Sequence, residues 1–598
     1  MSEAILERNQ IAKEDKWAIE DIYATDELWE ADLLKAQELG KTLAGFAGTL
    51  GKDAKTLLSY LKYGDELSVL ADSLGNYAMR RTDEDTRDAK YQGMKGRLMK
   101  VYVELNASTS FETPELLAIS DETMEQFYKD EPGLELYRIH LDDVRRKKAH
   151  VLSEREEKLL AMAGEVSETP HEIFGMFNNA DAKFDDALDS NGEAHPITHG
   201  TYIPCMESPD RVLRRNAFKS LYKTYGSYRN TLAGMLSGQV KQLEFHATAR
   251  NYGSALEASL DQTNVPTAVY HNLIEAVHQN LDKMYRYVRL RKKLLGLDEL
   301  HFYDLYTQLV ADADVRIPFA QAKETVAEAL SVMGEDYCAI LKEGFDNRWI
   351  DIYENVGKRS GAYSAGARVH PFVLLNYNGT LDNQFTLAHE MGHAIHSYLS
   401  NKNQPVVYSD YVIFVAEVAS TCNEALLMEA LLKKTTDKKA RAYLINHFLE
   451  QFRATLYRQT MFAEFELKIA ELNANGVTLT ADVLCDEYKK LNQLYFGEDI
   501  VVDDEIALEW ARIPHFYYDY YVFQYATGYA AAIALSRRIL DEGKPAIDRY
   551  LSFLSGGCSK TPIELLKGAG VDMTTAEPVN EALALFDRLL DEMEELMQ

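Results

Sequence analysis

Cysteine is scarce in this chain of 598 residues, which has only five, far apart and without a C-x-x-C pair. An odd number of dispersed thiols excludes a disulfide framework and is typical of a reducing compartment. No apolar run approaches the roughly 18 residues that cross a bilayer, and the first residues lack the apolar core of a signal peptide. These absences predict a cytoplasmic protein that has no membrane partner.

Positive charge is also in short supply. The chain has 64 Lys and Arg residues against 94 Asp and Glu residues, which gives a formal net charge of −30 at pH 7. A surface of this sign repels phosphate backbones and acidic lipids, so we expect neither nucleic acid nor membranes among the partners. The sequence does not indicate an oligomeric state.

Helix breakers are few, with 33 Gly and 14 Pro, and long stretches repeat apolar residues at helical spacing. We therefore predict a mainly α fold. A chain of this length exceeds one compact core and implies two or three structural units, or one large helical body. Because the polar run 186–196 interrupts the helical pattern, we expect an N-terminal helical region at 1–190 and a second region at 191–598.

The helical spacing fails clearly only over residues 346–384. There the apolar run 372–375 is followed by Asn378 and Gly379, a strong turn signal, which predicts a small sheet that leads into a helix. The glycine-rich stretch 361–366 could be mistaken for a phosphate-binding loop, but no Lys-Ser/Thr pair follows at the required spacing. We interpret it as a tight turn that lines a cleft.

The helix after this turn contains a metal-binding pattern. The stretch FTLAHEMGHAIHSYL, residues 385–399, holds His389, Glu390 and His393 in the order H-E-x-x-H. Residues four apart share a helix face, so the two imidazoles can reach one zinc ion, while Glu390 lies about 100° around the helix, where it can take a proton from water that the metal activates. Composition alone predicts roughly 0.03 copies of this pattern in such a chain. A solvated helix that happens to hold two histidines is therefore a poor explanation.

A catalytic zinc of this kind needs a third protein ligand and leaves its fourth position to water. His396 lies on the same helix face, but about 10.5 Å along the axis from His389, which is out of reach unless the helix breaks. The next predicted helix, FVAEVASTCNEALLMEALL, offers Glu417 and Glu424, two turns apart on one face. Spacing does not choose between these two glutamates.

The stretches KRSGAYSAG, PFVLLNYNGTLDNQFTLAHEMGHAIHS and FVAEVAST resemble the M3 family of zinc metallopeptidases, closest to its bacterial oligoendopeptidase F group. The likeness is strong over residues 346–430 and weaker in the N-terminal helices. It implies one Zn²⁺ per chain, with Glu417 as the third ligand and Glu424 as a residue that orients a histidine. It also implies a mainly α, two-lobed zincin-type fold with a small β-sheet next to the active-site helix, enclosing a deep channel that admits only short, unfolded peptides. The region 191–598 would then be the catalytic domain, with its zinc site at 389–417.

Four residues near the predicted sheet are candidates for peptide binding. Gly361 and Tyr363 belong to the glycine-rich turn, and Asn376 and Tyr377 end the predicted strand 372–377. We expect this strand to hold the peptide by pairing along its edge, which reads the backbone rather than the side chains and permits broad sequence tolerance.

The stretch HFYYDYYVFQYATGY, residues 515–529, is rich in tyrosine. Four of its aromatic residues follow spacings of three, three and four, which predicts one helical stripe, and an aromatic core is the simplest interpretation: His515, Tyr518, Tyr521 and Tyr525. The resemblance implies instead that a histidine and tyrosines of this segment stabilise the oxyanion of the reaction. We assign that role to His515, Tyr521 and Tyr525. Tyr518 and Tyr529 stay open, because the spacing from the histidine to the first matching tyrosine is one residue longer than in better-known relatives.

Together these features predict a zinc-dependent endopeptidase that hydrolyses internal bonds of short peptides, with Glu390 as the general base. Two other functions are compatible with the same residues. A metallocarboxypeptidase of related helical fold would release single residues from the C-terminus, and a non-catalytic scaffold would bind peptides without turnover. The complete H-E-x-x-H pattern with a glutamate downstream argues against the scaffold.

Overall fold

The computed structural model describes residues 5–310 and 316–597. The chain forms two compact units, each built from three separate stretches. Unit 1 comprises Met1–Ala149, Val315–Leu427 and Leu535–Gly570, and unit 2 comprises His150–Asp314, Met428–Ala534 and Val571–Gln598. These units interleave along the chain, whereas the predicted regions 1–190 and 191–598 follow each other, so the sequence-based boundary stays a prediction.

Helices make up most of both units, which confirms the predicted mainly α fold. Within the described residues the first fourteen α-helices are α1 (Asp26–Ala44), α2 (Ala54–Glu84), α3 (Ala89–Ser108), α4 (Glu112–Ala118), α5 (Asp121–Asp130), α6 (Arg138–Arg146), α7 (Glu154–Ser167), α8 (Thr169–Met176), α9 (Tyr202–Glu207), α10 (Arg211–Ser227), α11 (Arg229–Ala249), α12 (Ala255–Asp261), α13 (Thr267–His278) and α14 (Leu281–Leu294). The others are α15 (Phe319–Ala329), α16 (Glu335–Asp346), α17 (Leu381–Asn403), α18 (Ile413–Lys434), α19 (Lys438–Gln451), α20 (Arg458–Ala474), α21 (Ala481–Phe496), α22 (Phe523–Glu542), α23 (Lys544–Leu554), α24 (Pro562–Gly568) and α25 (Glu577–Leu596).

The strands of the described residues are short and form three small sheets. They are β1 (Ala187–Leu188), β2 (Ala194–His195), β3 (Leu300–His301), β4 (Ile350–Asp351), β5 (Tyr363–Ala365), β6 (Phe372–Leu374) and β7 (Ile500–Val501). β1 and β2 form an antiparallel hairpin at the predicted break 186–196, and β3 pairs with β7 in parallel. The third sheet has the strand order β4-β6-β5.

Unit 1 anchors the β4-β6-β5 sheet in an apolar core formed with its N-terminal helices. In α1, the fully buried Trp29 donates an indole hydrogen bond to the carbonyl oxygen of Leu74 at 3.0 Å. β6 contributes Phe372 and Leu374 to the same core cluster. The strand that precedes the helix with the H-E-x-x-H pattern therefore has a fixed position in unit 1.

The predicted sequence of strand, turn and helix before the H-E-x-x-H pattern is present. After β6, Gly379 adopts a φ of 87°, a left-handed conformation that glycine reaches without a Cβ clash. The Thr380 side chain then accepts a hydrogen bond from the backbone N–H of Asn383 at 3.2 Å, which caps the first turn of α17. The start of this helix is thus fixed by local sequence.

All five cysteines are free thiols, and two of them, Cys205 and Cys422, are buried. No helix formed by residues 5–310 or 316–597 has both the length and the apolar character needed to cross a membrane.

Candidate active site

Helices α17 and α18 carry the residues of the candidate metal site and approach each other very closely. A Cβ added to Gly392 would lie 2.6 Å from the Cα of Ser420 and 2.7 Å from the carbonyl oxygen of Ala419. Any side chain at this position would therefore push the backbone of α18 away. The glycine between the two motif histidines sets the distance from which α18 can present a carboxylate.

Asn423, a buried residue of α18 that sequence reasoning missed, fixes the register between the two helices. Its Nδ2 donates to the carbonyl oxygen of Ala388 at 3.0 Å, and its Oδ1 accepts a hydrogen bond from the hydroxyl of Tyr337 at 2.7 Å. A buried amide needs such partners, because leaving it unsatisfied is costly. The signal that could have revealed it is an asparagine within an otherwise apolar helix face.

Three side chains converge on one point. His393 Nε2 lies 3.2 Å from His389 Nε2, and Glu417 Oε2 lies 3.4 Å from His389 Nε2 and 3.5 Å from His393 Nε2. Tetrahedral zinc with bonds of about 2.0–2.2 Å to nitrogen and oxygen separates its ligand atoms by about 3.3–3.6 Å. Both the types of donor atom and their separations therefore fit zinc.

The second candidate carboxylate, Glu424, contacts the other side of a motif histidine. Its Oε1 forms a short hydrogen bond with His389 Nδ1. A carboxylate on Nδ1 leaves Nε2 as the metal-binding nitrogen and fixes the orientation of the ring. Ser420 holds Glu417 in a similar way, because its Oγ donates to Glu417 Oε2 at 3.1 Å.

Burial and neighbouring charges shape the acid–base behaviour of the site. Only 6% of Glu390 is exposed, and this burial raises the pKa of its carboxyl, which the two motif histidines oppose only in part. Burial acts on Glu417 in the same direction, but hydrogen bonds with His389 and His393 hold the pKa of Glu417 well below its usual range. Glu417 is thus ionised, as a metal ligand must be, while Glu390 is a carboxyl that can exchange a proton.

His396 lies away from the three converging side chains. It is 1% exposed, and its ring stacks on Tyr411 with centroids 3.8 Å apart and contacts Phe553 at 5.5 Å. Burial lowers its pKa to about 3, so the imidazole is neutral. As expected, α17 continues without a break to Asn403, which keeps His396 one turn beyond the site.

Two of the four candidate peptide-binding residues, Gly361 and Asn376, are joined by a hydrogen bond. Gly361 has a φ of 82°, and its carbonyl oxygen accepts a hydrogen bond from Asn376 Nδ2 at 2.8 Å. The same amide also donates to the carbonyl oxygen of Arg359 at 3.0 Å. The glycine-rich stretch is therefore a tight turn, held by Asn376, two residues after β6.

The other two candidates use their hydroxyls to join parts of unit 1. Tyr363 donates to Asp83 Oδ2 at 2.5 Å, and its ring lies 6.5 Å from that of Trp17. The Tyr377 hydroxyl donates to the carbonyl oxygen of Ile317 at 2.7 Å. Both side chains are therefore engaged within the unit.

The expected pairing of a peptide along the edge of the 372–377 strand is wrong. β6 lies in the middle of its sheet, in parallel with β4 on one side and antiparallel with β5 on the other, so its backbone groups already have partners. The sequence could not indicate this, because strand order follows from tertiary contacts. β5 is an edge strand, and it adjoins α17 at Gly366, where an added Cβ would lie 2.9 Å from Ser397.

The predicted helical stripe of the tyrosine-rich segment, which belongs to unit 2, is also wrong. His515 lies in a short 3-10 helix, Pro514–Tyr517, and α22 begins only at Phe523. Between them, Asp519 and Tyr520 adopt left-handed backbone conformations with φ of 55° and 54°. A helical repeat cannot pass through such residues.

The bent backbone nevertheless brings the same rings together. The centroid of His515 lies 5.4 Å from that of Tyr518, 6.2 Å from Tyr521 and 5.9 Å from Tyr525. The Tyr525 hydroxyl is 3.5 Å from His515 Nε2. Burial, with a smaller effect of Arg458, lowers the pKa of His515, which favours a neutral imidazole.

The two tyrosines that the sequence left open differ in environment. Tyr518 is 44% exposed and belongs to this ring cluster. Tyr529 is buried and packs edge-on against Phe452, with centroids 5.1 Å apart. Tyr529 is therefore a core residue of unit 2.

Comparison with known proteins identifies the chain's relatives. The model of peptidase family M3 matches residues 205–585, and the model described as oligopeptidase F matches residues 115–184. Oligopeptidase PepF of Bacillus subtilis is 47% identical over 592 residues, which cover 99% of this chain and 88% of that protein. An oligoendopeptidase F homolog of Lactococcus lactis is 42% identical over 99% of this chain and 98% of its own.

Solved structures agree with these sequence matches. A protein from Chlamydophila abortus has a TM-score of 0.93 and 36% identity, with 99% of this chain and 100% of that chain covered. Oligoendopeptidase-F from Enterococcus faecium has a TM-score of 0.75 and 38% identity over 96% of this chain and 99% of its own. A family match over more than half of the sequence, with relatives of this identity along its whole length, shows that the chain belongs to peptidase family M3 and is a metallo-endopeptidase.

Proposed function

We propose that this enzyme is a zinc-dependent oligopeptidase that cleaves internal bonds of short, unfolded peptides in the cytoplasm. The observation that carries the proposal is the convergence of His389, His393 and Glu417 at separations of 3.2–3.5 Å on two closely packed helices. The names of its relatives, oligopeptidase and oligoendopeptidase F, support short peptides as the substrates. The net charge of −30 makes nucleic acid an unlikely class of partner.

One zinc ion per chain would be held by His389, His393 and Glu417. When bound, zinc supplies Lewis-acid polarisation of a peptide carbonyl and increases the acidity of water. Glu424 keeps His389 in the tautomer that offers Nε2, and the close approach at Gly392 lets α18 present its carboxylate. Both features favour a site whose ligand side chains are already in position before zinc binds.

Glu390 is the proposed general base and acid. Its carboxylate accepts a proton from the attacking water and then donates it to the leaving amine nitrogen. A carboxyl whose pKa is raised by burial suits this exchange, because its protonated form is more accessible than that of a solvated glutamate.

We propose that His515 and Tyr525, with Tyr521, donate hydrogen bonds to the oxyanion that develops on the carbonyl oxygen. The reasons are their clustered rings and the lowered pKa of His515, which favours a neutral donor. This role rests on the resemblance of the segment to the family, because the metal-site residues belong to unit 1 and these residues belong to unit 2.

A peptide backbone would pair with the edge of β5 rather than with β6. β5 has a single partner strand, and its end adjoins α17 at Gly366. Backbone pairing reads no side chains, which supports broad sequence tolerance. In this proposal Asn376 shapes the approach to β5 by holding the Gly361 turn, without contacting the substrate itself.

Mass spectrometry of products from peptides blocked at both ends tests the proposal. An endopeptidase cuts such peptides internally, and a chelator should abolish the products, which added zinc should restore. Release of single C-terminal residues, only from peptides with a free carboxylate, would indicate a carboxypeptidase instead. Turnover that survives the chelator in a verified metal-free protein would contradict the zinc assignment.

A further inference from the structure

The chain is strongly acidic, yet one interior region of unit 2 contains more positive than negative charge. Four guanidinium groups share two carboxylates there: Arg291, Arg453, Arg458 and Arg512 with Glu450 and Glu509. The formal excess is therefore two positive charges.

Glu509 neutralises two arginines through a single oxygen. Arg458 Nη2 donates to its Oε1 at 2.6 Å, and Arg512 Nη2 donates to the same atom at 2.7 Å. The other oxygen of Glu509 accepts from the hydroxyl of Tyr488 at 2.5 Å. Glu509 is 4% exposed, so solvent does little to screen this group.

Glu450 is shared in the same way. Arg453 donates to its Oε2 from Nη2 at 2.7 Å and from Nε at 3.0 Å, and Arg291 donates to its Oε1 at 2.9 Å. Arg291 is fully buried and satisfies its other amino group with backbone carbonyls. Both amino groups of Arg291 are therefore occupied.

The other three arginines line one small cavity. Arg453, Arg458 and Arg512 surround a volume of about 20 Å³, and the Nη1 atom of each makes no hydrogen bond to any residue in the described part of the chain. One water molecule needs roughly 10–15 Å³ of such volume, so the cavity holds a single small species. Arg453 also lies in a π-helical segment, Phe452–Tyr457, a rare geometry that is frequent at functional sites.

Glu509 also lines the cavity, and no other group in its wall supplies negative charge. Tyr202 and Tyr222 also line it, and burial raises the pKa of both phenols above their usual range, so they stay neutral. Arg453 is 4% exposed, and such a buried cation is costly without a counter-charge, whereas the side chains of Arg458 and Arg512 are each 18% exposed.

We propose that this cavity is a binding site for one small monovalent anion, of which chloride is the physiological representative. Three unused Nη1 groups would donate charge-assisted hydrogen bonds to it, and the ion would offset half of the excess charge. Gluconate is much larger than the single water-sized species that the cavity holds. None of these residues belongs to the metal site, although Arg458 also contributes to the lowered pKa of His515.

Bromide tests the site directly in the unmodified protein. Crystals of the full chain, grown with bromide as the sole halide, should show an anomalous scattering peak inside the cavity. In solution, chloride or bromide should raise Tm by about 2 °C, in a saturable manner, over sodium gluconate at equal ionic strength. An empty cavity in the bromide crystals, or equal effects of chloride and gluconate, would overturn the proposal.

Two matched variants test whether the halide effect on Tm arises at this cavity. Arg512→Met leaves Glu509 paired with Arg458 and Tyr488, and it should abolish the difference between halide and gluconate. Arg214→Met removes one of two arginines that share Asp304 in a comparable cluster, which does not line the cavity. It should lower Tm but keep the halide effect. A halide effect that persists in Arg512→Met would refute the site, and if this variant does not fold, the bromide crystals decide.

Discussion

The metal-site helices of unit 1 and the tyrosine-rich segment of unit 2 carry residues of the same proposed reaction but are built differently. In α17, two histidines four residues apart point to one place because an unbroken helix repeats its face. In the tyrosine-rich segment, His515 and Tyr525 meet although no helix connects them. One site follows the local repeat, and the other depends on a bent backbone.

Residue spacing therefore predicts which side chains meet in α17, but it fails in the tyrosine-rich segment. Left-handed backbone at Asp519 and Tyr520 breaks the repeat, and the sequence signals it only weakly, since neither is glycine and only aspartate is enriched in this conformation. Substitutions in unit 1 should therefore have effects that the helix geometry predicts, whereas those in the tyrosine-rich segment depend on the folded loop.

The largest expected effect is on the proposed base. Glu390→Gln should lower kcat by about 10³–10⁴-fold, because the amide cannot accept the proton of water. Zinc content, measured by plasma mass spectrometry, should stay near one per chain, since Glu390 is not among the converging ligands. Peptide cleavage at close to the parental rate would show that the base lies elsewhere.

The next largest expected effect is on zinc affinity, and it distinguishes the two glutamates of α18. Glu417→Ala should weaken zinc binding by well over 100-fold, because a ligand is removed, whereas Glu424→Ala should weaken it by about 10–100-fold, because only the orientation of His389 is lost. Competition with a chelating dye measures both. His396→Ala is the control and should keep its zinc, since this ring stacks on Tyr411. The reverse order, with zinc lost from the His396 variant, would mean that the histidine is the third ligand.

A smaller effect tests the ring cluster of unit 2. Tyr525→Phe should lower kcat by about 10²-fold with little change in KM, if its hydroxyl stabilises the oxyanion. Tyr529→Phe should change kcat only a few-fold, because this residue is buried against Phe452. Equal losses in the two variants would indicate a general packing defect and would remove the special role of Tyr525.

The smallest effect concerns stability. Gly392→Ala should lower the free energy of unfolding by roughly 1–3 kcal/mol, because the new Cβ meets the backbone of α18. Gly93→Ala in α3 is the matched control, since nothing lies within 4 Å of its added Cβ, and it should raise stability by up to about 1 kcal/mol. Chemical denaturation measures both. An unchanged midpoint for Gly392→Ala would show that the helices separate easily.

Much of the metal site could be predicted from the sequence, and the rest could not for specific reasons. His389 and His393 follow from helical spacing alone, and the helix itself follows from the turn at Gly379 and the cap at Thr380. Asn423 was missed, because its partners lie on other helices. The role of β6 was misjudged, because pairing on both of its sides involves strands distant in sequence.

The sequence by itself determined the mainly α fold, the strand, turn and helix before the H-E-x-x-H pattern, and the shared face of the two histidines, since each arises from contacts within a few residues. Only the tertiary structure decided which glutamate of α18 faces both Nε2 atoms, which strand forms the sheet edge, and how His515 meets Tyr525. It also decided that arginines outnumber carboxylates around one small cavity of an acidic protein. The physical reason is that packing and electrostatics bring together residues far apart in the chain, and no local periodicity records which ones will meet.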